Sequence, residues 1–193
     1  MELSQYIWLI LMWSVYFTIH SLLASQTIKS KLVEAGLPLK AQRIIYNLVA
    51  IVGLLSILIY NGTLSSEVLI PKTQFSKIAA LFLGGAGVLI INAAFKQFNS
   101  GSFLGIKDEP SELRRDGILK HIRHPLYAGT ILMVAGLFVY DPRTATLLSA
   151  ICIYTYLPIG IYLEEKKLVN QFGQLYINYR KEVPAIIPRV KLF

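Results

Sequence analysis

The sequence predicts an all-α integral membrane protein: a bundle of about five transmembrane helices with a cytoplasmic C-terminal amphipathic helix. Three observations lead there. Of the 193 residues, 54% are hydrophobic and only 16% charged, with a mean hydropathy of +0.54, whereas soluble domains are about a quarter charged. Apolar runs recur at close to spanning length. Basic residues collect in alternate connections. A chain of this size makes one bundle, so residues 1–193 read as a single domain.

A spanning helix needs about 20 apolar residues, with a range of roughly 17–25. The runs at 6–25, 44–60, 78–95, 126–140 and 145–163 qualify, the fourth being short. The N-terminus MELSQYIW has no basic region and no small-residue cleavage site, so the first run is expected to be retained rather than cleaved. The third contains GGAG, Gly84 to Gly87, which suits close helix packing better than phosphate binding. The fourth and fifth flank YDPRT, where Asp-Pro favours a tight turn and hence a helical hairpin.

Orientation follows from charge. Sixteen of the nineteen Lys and Arg residues fall in segments 26–43, 96–125 and 164–193; the opposite side holds Lys72, Lys77 and Arg143. Positive charge stays in the cytoplasm, so the N-terminus is expected outside and the C-terminus inside. The net charge of +8 then needs no nucleic acid to explain it. The single Cys152 excludes a disulfide framework and a cysteine metal cluster. His121 and His124 alone make a weak ligand set, and no metal is expected. There is no nucleophile elbow, phosphate loop or dinucleotide fingerprint. His20 and Asn92 in the spans, and Asn99 beyond the third, read first as hydrogen-bonding residues, although an ionisable residue at membrane depth leaves His20 a functional alternative.

Two stretches carry chemistry. In HIRHPLYAGT, His121 to Thr130, Pro125 disfavours helix at His124 and suits a helix first turn. A helix beginning there presents free N–H groups to the cytoplasmic side, where an anion is favoured. Arg123 adds a planar donor fork suited to a carboxylate. His121 and His124, three apart, would share a face if helical. Tyr127 lies in the first turn, and Gly129 leaves room for a ligand or a neighbouring helix. The second stretch opens with Glu164 and Glu165, directly after the fifth run. Carboxylates at a helix C-terminus oppose the macrodipole by about 0.3–1 kcal/mol each when exposed. Acids facing inward would hold a cationic ligand. Beyond them Leu168, Phe172, Leu175, Tyr176 and Tyr179 fall at helical spacings, marking an amphipathic helix at, or folded against, the interface with its tyrosines in an interfacial belt. Pro184 and Pro188 end it.

GILKHIRHPLYAG (Gly117 to Gly129), followed one hairpin later by EEKKLVNQFGQLYINYRKEVPAIIP (Glu164 to Pro188), resembles the integral membrane methyltransferases. These comprise isoprenylcysteine carboxyl methyltransferase, the phospholipid N-methyltransferases and bacterial relatives. The combination covers about the last 75 residues. WSVYFTIHSLLAS is similar to the first span of bacterial members, and FNSGSFLGI to the phospholipid branch. The resemblance implies S-adenosylmethionine as methyl donor, held between the fourth and fifth spans and the folded-back tail. It carries cofactor contacts onto His124, Tyr127, Glu164 and Glu165; Pro125, Gly129 and Tyr176, within the same motifs, are placed on the cofactor side. Arg123 and one acid, taken as Glu165, match residues acting around the transfer.

The residues suit such a donor. A sulfonium is helped by carboxylates and aromatic faces. The donor's carboxylate suits Arg123, His124 or the helix N-terminus, and its amine suits Glu164 or Glu165. An amine or thiol acceptor needs a base, for which Glu165 or His121 are candidates; a carboxylate acceptor needs none. The acceptor is expected to be lipophilic or small, reaching the site from the lipid bilayer, with no obligate protein partner evident. A non-catalytic membrane subunit or carrier, and a nicotinamide-dependent reductase sharing this architecture, are the alternatives.

Overall fold

The computed structural model describes residues 2–97 and 112–189. FNSGSFLGI, with Asn99, and also Lys107 and Lys191 lie outside the described residues. Those described form an almost wholly helical chain, in the order α1 (Glu2–Ala24), α2 (Gln26–Glu34), α3 (Leu39–Thr63), α4 (Gln74–Gln97), a 3-10 turn (Gly117–Lys120), α5 (Pro125–Tyr140), α6 (Thr144–Phe172) and α7 (Gln174–Glu182). Helices α1, α3, α4 and α6 are long and apolar enough to cross a membrane, and α5 is a shorter apolar helix. At 1.5 Å per residue, α5 is about 24 Å long, short of a hydrocarbon core of about 30 Å. Large apolar side chains on the outer faces, such as Phe75, Leu81 and Phe82, have no protein cover, as lipid-facing positions require. The protein is an integral membrane protein.

Two departures from the expected elements matter. Segment 26–43, expected as a charged connection, contains α2. Ser25 caps it, its hydroxyl accepting from Ile28 N–H at 3.2 Å. Gln42 ties its end to α3, donating to the carbonyls of Lys29 and Leu37. Helix α6 does not stop at Leu163 but runs to Phe172. Its 29 residues span about 43 Å, longer than a hydrocarbon core of about 30 Å, and its last turns carry Glu164 and Glu165. Gly173, at φ 54°, supplies the left-handed bend that ends α6 and starts α7. The amphipathic tail is therefore two helices joined at a glycine.

Helix α5 is held most closely by α4. A Cβ on Gly129 would lie 2.8 Å from the carbonyl oxygen of Gly87, and one on Gly136 would lie 2.8 Å from the backbone nitrogen of Gly84. The GGAG stretch is thus a helix-packing surface, where small residues let backbones approach without hydrophobic drive between helices. At the outer end, Asp141 closes the α5–α6 turn by accepting from Arg143 and Thr146, and pairs with Lys72 at 3.0 Å. Hydrogen bonds from Arg143 chiefly, and from Lys72 and Thr146, hold its carboxyl down at about 2. Arg143 also donates to Leu64 O at 2.9 Å, binding the α3–α4 connection to the hairpin.

Beneath that turn lies a polar knot in an apolar core of Leu9, Trp13, Ile57 and Ala145. Trp13 Nε1 donates to Ser149 Oγ at 2.9 Å, and Asn61 Nδ2 donates to Ser149 Oγ and Ala145 O, both at 2.9 Å. It joins α1, α3 and α6. Replacing Asn61 by Leu should lower stability by about 1–3 kcal/mol, the usual loss when buried partners are abandoned. Ser149→Ala should act through the same knot, so thermal unfolding in detergent should show the double variant losing less than the two single losses combined. Independent, additive losses would contradict the shared network.

Candidate active site

One end of the bundle is assembled around the turn before α5. The 3-10 turn delivers His121 to solvent, and the backbone then swings at His124 (φ −120°, ψ 64°), immediately before Pro125 as first helical residue. His121 and His124 therefore do not share a helical face. His124 is buried, 2% exposed, and His121 is exposed. The tail folds back onto this turn: Arg123 N–H donates to Pro184 O and His124 N–H to Ala185 O, both at 2.9 Å. Tyr179 adds a 2.6 Å hydrogen bond from its hydroxyl to Leu119 O; burial pushes that hydroxyl up to about 12, against the lowering influence of Arg123 and Arg115, so it stays a donor.

Tyr176 and Tyr179, expected in an interfacial belt, are instead buried with Val183 against Leu113, Leu168, Val169 and Phe172. An apolar face this near its own chain is covered by protein before lipid. Tyr176 lies among these packed residues, its hydroxyl buried without a hydrogen-bond partner. Gly129, placed with the cofactor side on sequence, faces α4, and the space its missing side chain leaves is filled by Gly87 and Ile91.

Glu165 is the centre of the charged groups. Its Oε1 accepts from Arg123 Nη1 at 2.5 Å and lies 3.1 Å from His124 Nε2, while Oε2 meets Arg180 Nη1 at 3.4 Å. His124 Nδ1 stands 3.7 Å from Glu164 Oε2, an ion-pair distance without a hydrogen bond. Cations and acids that the sequence suggested at opposite ends of a ligand are thus paired with each other. The reason is physical: Arg123 and Glu165 are both largely buried, and an unpaired buried charge is far more costly than a paired one. Burial by itself would lower His124; the charge of Glu164 beside it and the hydrogen bond and charge of Glu165 outweigh that and raise the imidazole above its ordinary value.

Next to this network lies a cavity of about 590 Å³ among α1, α2, α3, α5 and α6, within the 300–1,000 Å³ typical of ligand sites. Tyr127 and Glu164 form its wall on the network side. The Tyr127 ring meets His124 edge-on at 5.6 Å. Its hydroxyl occupies the room left by Gly160, where a Cβ would come within 3.0 Å of it. His20, Ser21, Tyr46 and Tyr156 line it too, as do Lys29, Arg43, Lys166 and Lys167.

The structure thus brings Arg123, His124, Tyr127, Glu164 and Glu165 into one region. Arg180, Gly160, Tyr46 and Tyr156 were not among the candidate site residues. Only the last two had a legible signal, as polar-tipped aromatics inside apolar runs. Among the described residues no three of His, Cys, Asp and Glu gather as a metal site would require.

A family model described as NnrU protein matches residues 8–170. The chain belongs to the NnrU protein family. It is also similar to membrane methyltransferases of the kind the motifs suggested. A methanethiol S-methyltransferase of Pseudomonas sp. (strain GM41(2012)) is 31% identical over 122 residues, 58% of this chain and 45% of that protein. Methanethiol S-methyltransferase 2 of Bradyrhizobium diazoefficiens is 28% identical over 195 residues, covering 94% of this chain and 72% of the relative. A protein-S-isoprenylcysteine O-methyltransferase of Schizosaccharomyces pombe is 36% identical over 76 residues, 39% of this chain and 32% of its own. The matched region thus spans under half of the first of these relatives. No solved structure matches.

The His124 shift has a testable sign. A histidine raised in the folded state contributes stability that is complete below its unfolded value of about 6.5. That contribution is lost as pH rises through the raised folded value. Thermal unfolding in detergent from pH 6 to 9 should show wild type losing stability relative to His124→Gln toward the alkaline end. Parallel profiles would show that the acids do not hold the imidazole protonated.

Proposed function

We propose that this protein is an S-adenosylmethionine-dependent methyltransferase, acting on a thiol or carboxylate acceptor at the cytoplasmic end of the bundle. The observation that carries the reading is the cavity beside the charged network, with Tyr127 and Glu164 on its wall. The similarity to proteins named methanethiol S-methyltransferase and protein-S-isoprenylcysteine O-methyltransferase supports it.

The lining suits the donor by its chemistry. Glu164, with a side chain 43% exposed, is the acid free enough to take the donor's amine, since Glu165 is occupied by Arg123, His124 and Arg180. Tyr127 offers an aromatic face to a cation. Lys29, Arg43, Lys166 and Lys167 make the cavity electropositive toward a carboxylate. Bound there, the donor supplies an electrophilic methyl group on a sulfonium. The chain's task is alignment and exclusion of water, and alignment alone can be worth roughly 7–11 kcal/mol. Arg123, His124 and Glu165 act by fixing the entrance of α5, and so the position of Tyr127, against α6. Glu164 and Glu165 favour the charged form of His124, which adds positive potential at that wall.

Calorimetry on detergent-purified protein should show saturable S-adenosylmethionine binding. Glu164→Gln, which removes one charge-assisted hydrogen bond worth about 1.5–3 kcal/mol, should weaken it about 10- to 100-fold. Arg123→Gln should abolish it. Wild-type affinity in both variants would overturn the site assignment, and no binding in wild type would overturn the function. The cytoplasmic placement rests on the basic bias of segments 26–43, 96–125 and 164–193. In a Cys152→Ser background, single cysteines replacing Lys72 and Lys166 should label from opposite sides of sealed vesicles; labelling from one side would contradict it.

A further inference from the structure

The cavity lining carries a second set of polar groups, on α1, α3 and α6. His20 of α1 pairs through Nε2 with the hydroxyl of Tyr46 of α3 at 2.9 Å. On the next residue, Ser21 Oγ pairs with Tyr156 Oη of α6 at 2.9 Å. All four line the cavity. His20 Nδ1 is buried with no hydrogen-bond partner, so Tyr46 is the ring's polar contact. The rest of its surroundings is aromatic: Tyr16 lies 5.7 Å away on one side, and Phe17 stacks on Tyr156 at 4.1 Å. Three hydroxyls and an imidazole thus line one ligand-sized space.

We propose that His20, Tyr46, Ser21 and Tyr156 form the methyl-acceptor subsite, that its acceptor is a small thiol, and that the Tyr46–His20 pair removes the thiol proton during transfer. This rests on the methyl-transfer reading above. The presence of a base selects the acceptor. A carboxylate acceptor arrives ionised and requires none, whereas an alkanethiol is protonated at neutral pH and is a weak nucleophile until it loses its proton. In the step, the thiol proton passes to Tyr46 Oη as the tyrosine's own proton passes to His20 Nε2. The sulfur lone pair forms the new bond to the methyl carbon. The bond between that carbon and the sulfonium sulfur breaks, its electron pair remaining on the departing sulfur. The positive charge lost from the sulfonium reappears on the imidazole as a proton. The imidazole then returns that proton to water by way of Tyr46 and the cavity mouth. The small apolar remainder of the acceptor is accommodated by the aromatic wall, and Ser21 with Tyr156 sets how deep it sits.

The test compares wild type with His20→Asn and Tyr46→Phe, using hexanethiol, hexanoate and an aryl thiol already ionised at neutral pH. S-adenosylmethionine affinity, measured by calorimetry, should stay within about twofold of wild type in both variants. Calorimetric binding of hexanethiol to donor-free protein should weaken about tenfold in both. Turnover of hexanethiol should fall about 100-fold or more, the usual contribution of a positioned base, while the aryl thiol should be methylated at close to the wild-type rate. Equal losses for both thiols, unchanged hexanethiol turnover, or wild-type turnover of hexanoate with none of hexanethiol would overturn the subsite while leaving the donor site standing. Absence of donor binding in wild type would overturn both.

Discussion

Glu165 is shared by three basic side chains, and the whole end of the bundle around the α5 entrance depends on that sharing. Its carboxylate is the point where the turn before α5, through Arg123 and His124, meets α6 and the tail, through Arg180. Each of these segments would be loose without it. The tail's apolar face is short, and α7 has only nine residues, too few for a helix to persist alone in water. Once Arg123 and His124 are drawn to Glu165, their backbone N–H groups are in place to accept the tail at Pro184 and Ala185. Ion pair and backbone ladder therefore support one another. Removing one member of such a buried pair typically costs about 3–5 kcal/mol, because its partner is left charged and unsolvated.

The same constraint explains why α6 is so long. A helix ending at the membrane surface could not carry two acids to the level of the α5 entrance, and it would place them against its own dipole. By continuing for about nine more residues, α6 turns Glu164 and Glu165 into mid-helix residues, where the terminal penalty no longer applies. The two acids then divide. Glu165 is consumed in holding the structure, whereas Glu164 is more exposed and stands on the cavity wall. At the other end of the hairpin, Asp141 and Arg143 fix the α5–α6 turn, so the register between Tyr127 and Gly160 is set from both ends.

Much of this was legible in the sequence. Apolar run lengths located the five hydrophobic helices, Pro125 marked the start of α5, GGAG marked the α4–α5 crossing, and the two acids singled out the region opposite HIRHPLYAG. The pairing of acids with Arg123 and His124 was not legible, because sequence shows which charges are unusual but not whether they face a ligand or one another. Helix α2 was missed because its nine polar-rich residues resemble any charged connection; only the Ser25 cap signals it. The burial of Tyr176 and Tyr179 was missed because an amphipathic face looks the same whether lipid or protein covers it. The Tyr46–His20 pair required α1 and α3 to be placed side by side, a long-range fact that periodicity alone does not contain.

Ultraviolet cross-linking of labelled S-adenosylmethionine to the purified protein, followed by peptide mapping, tests the central claim most directly. Label, competed by unlabelled donor, is expected in the peptides containing Tyr127 or Glu164 on the cavity wall. Competed label confined to the loop near Asp141, or to the exposed apolar surface of α4, would contradict it.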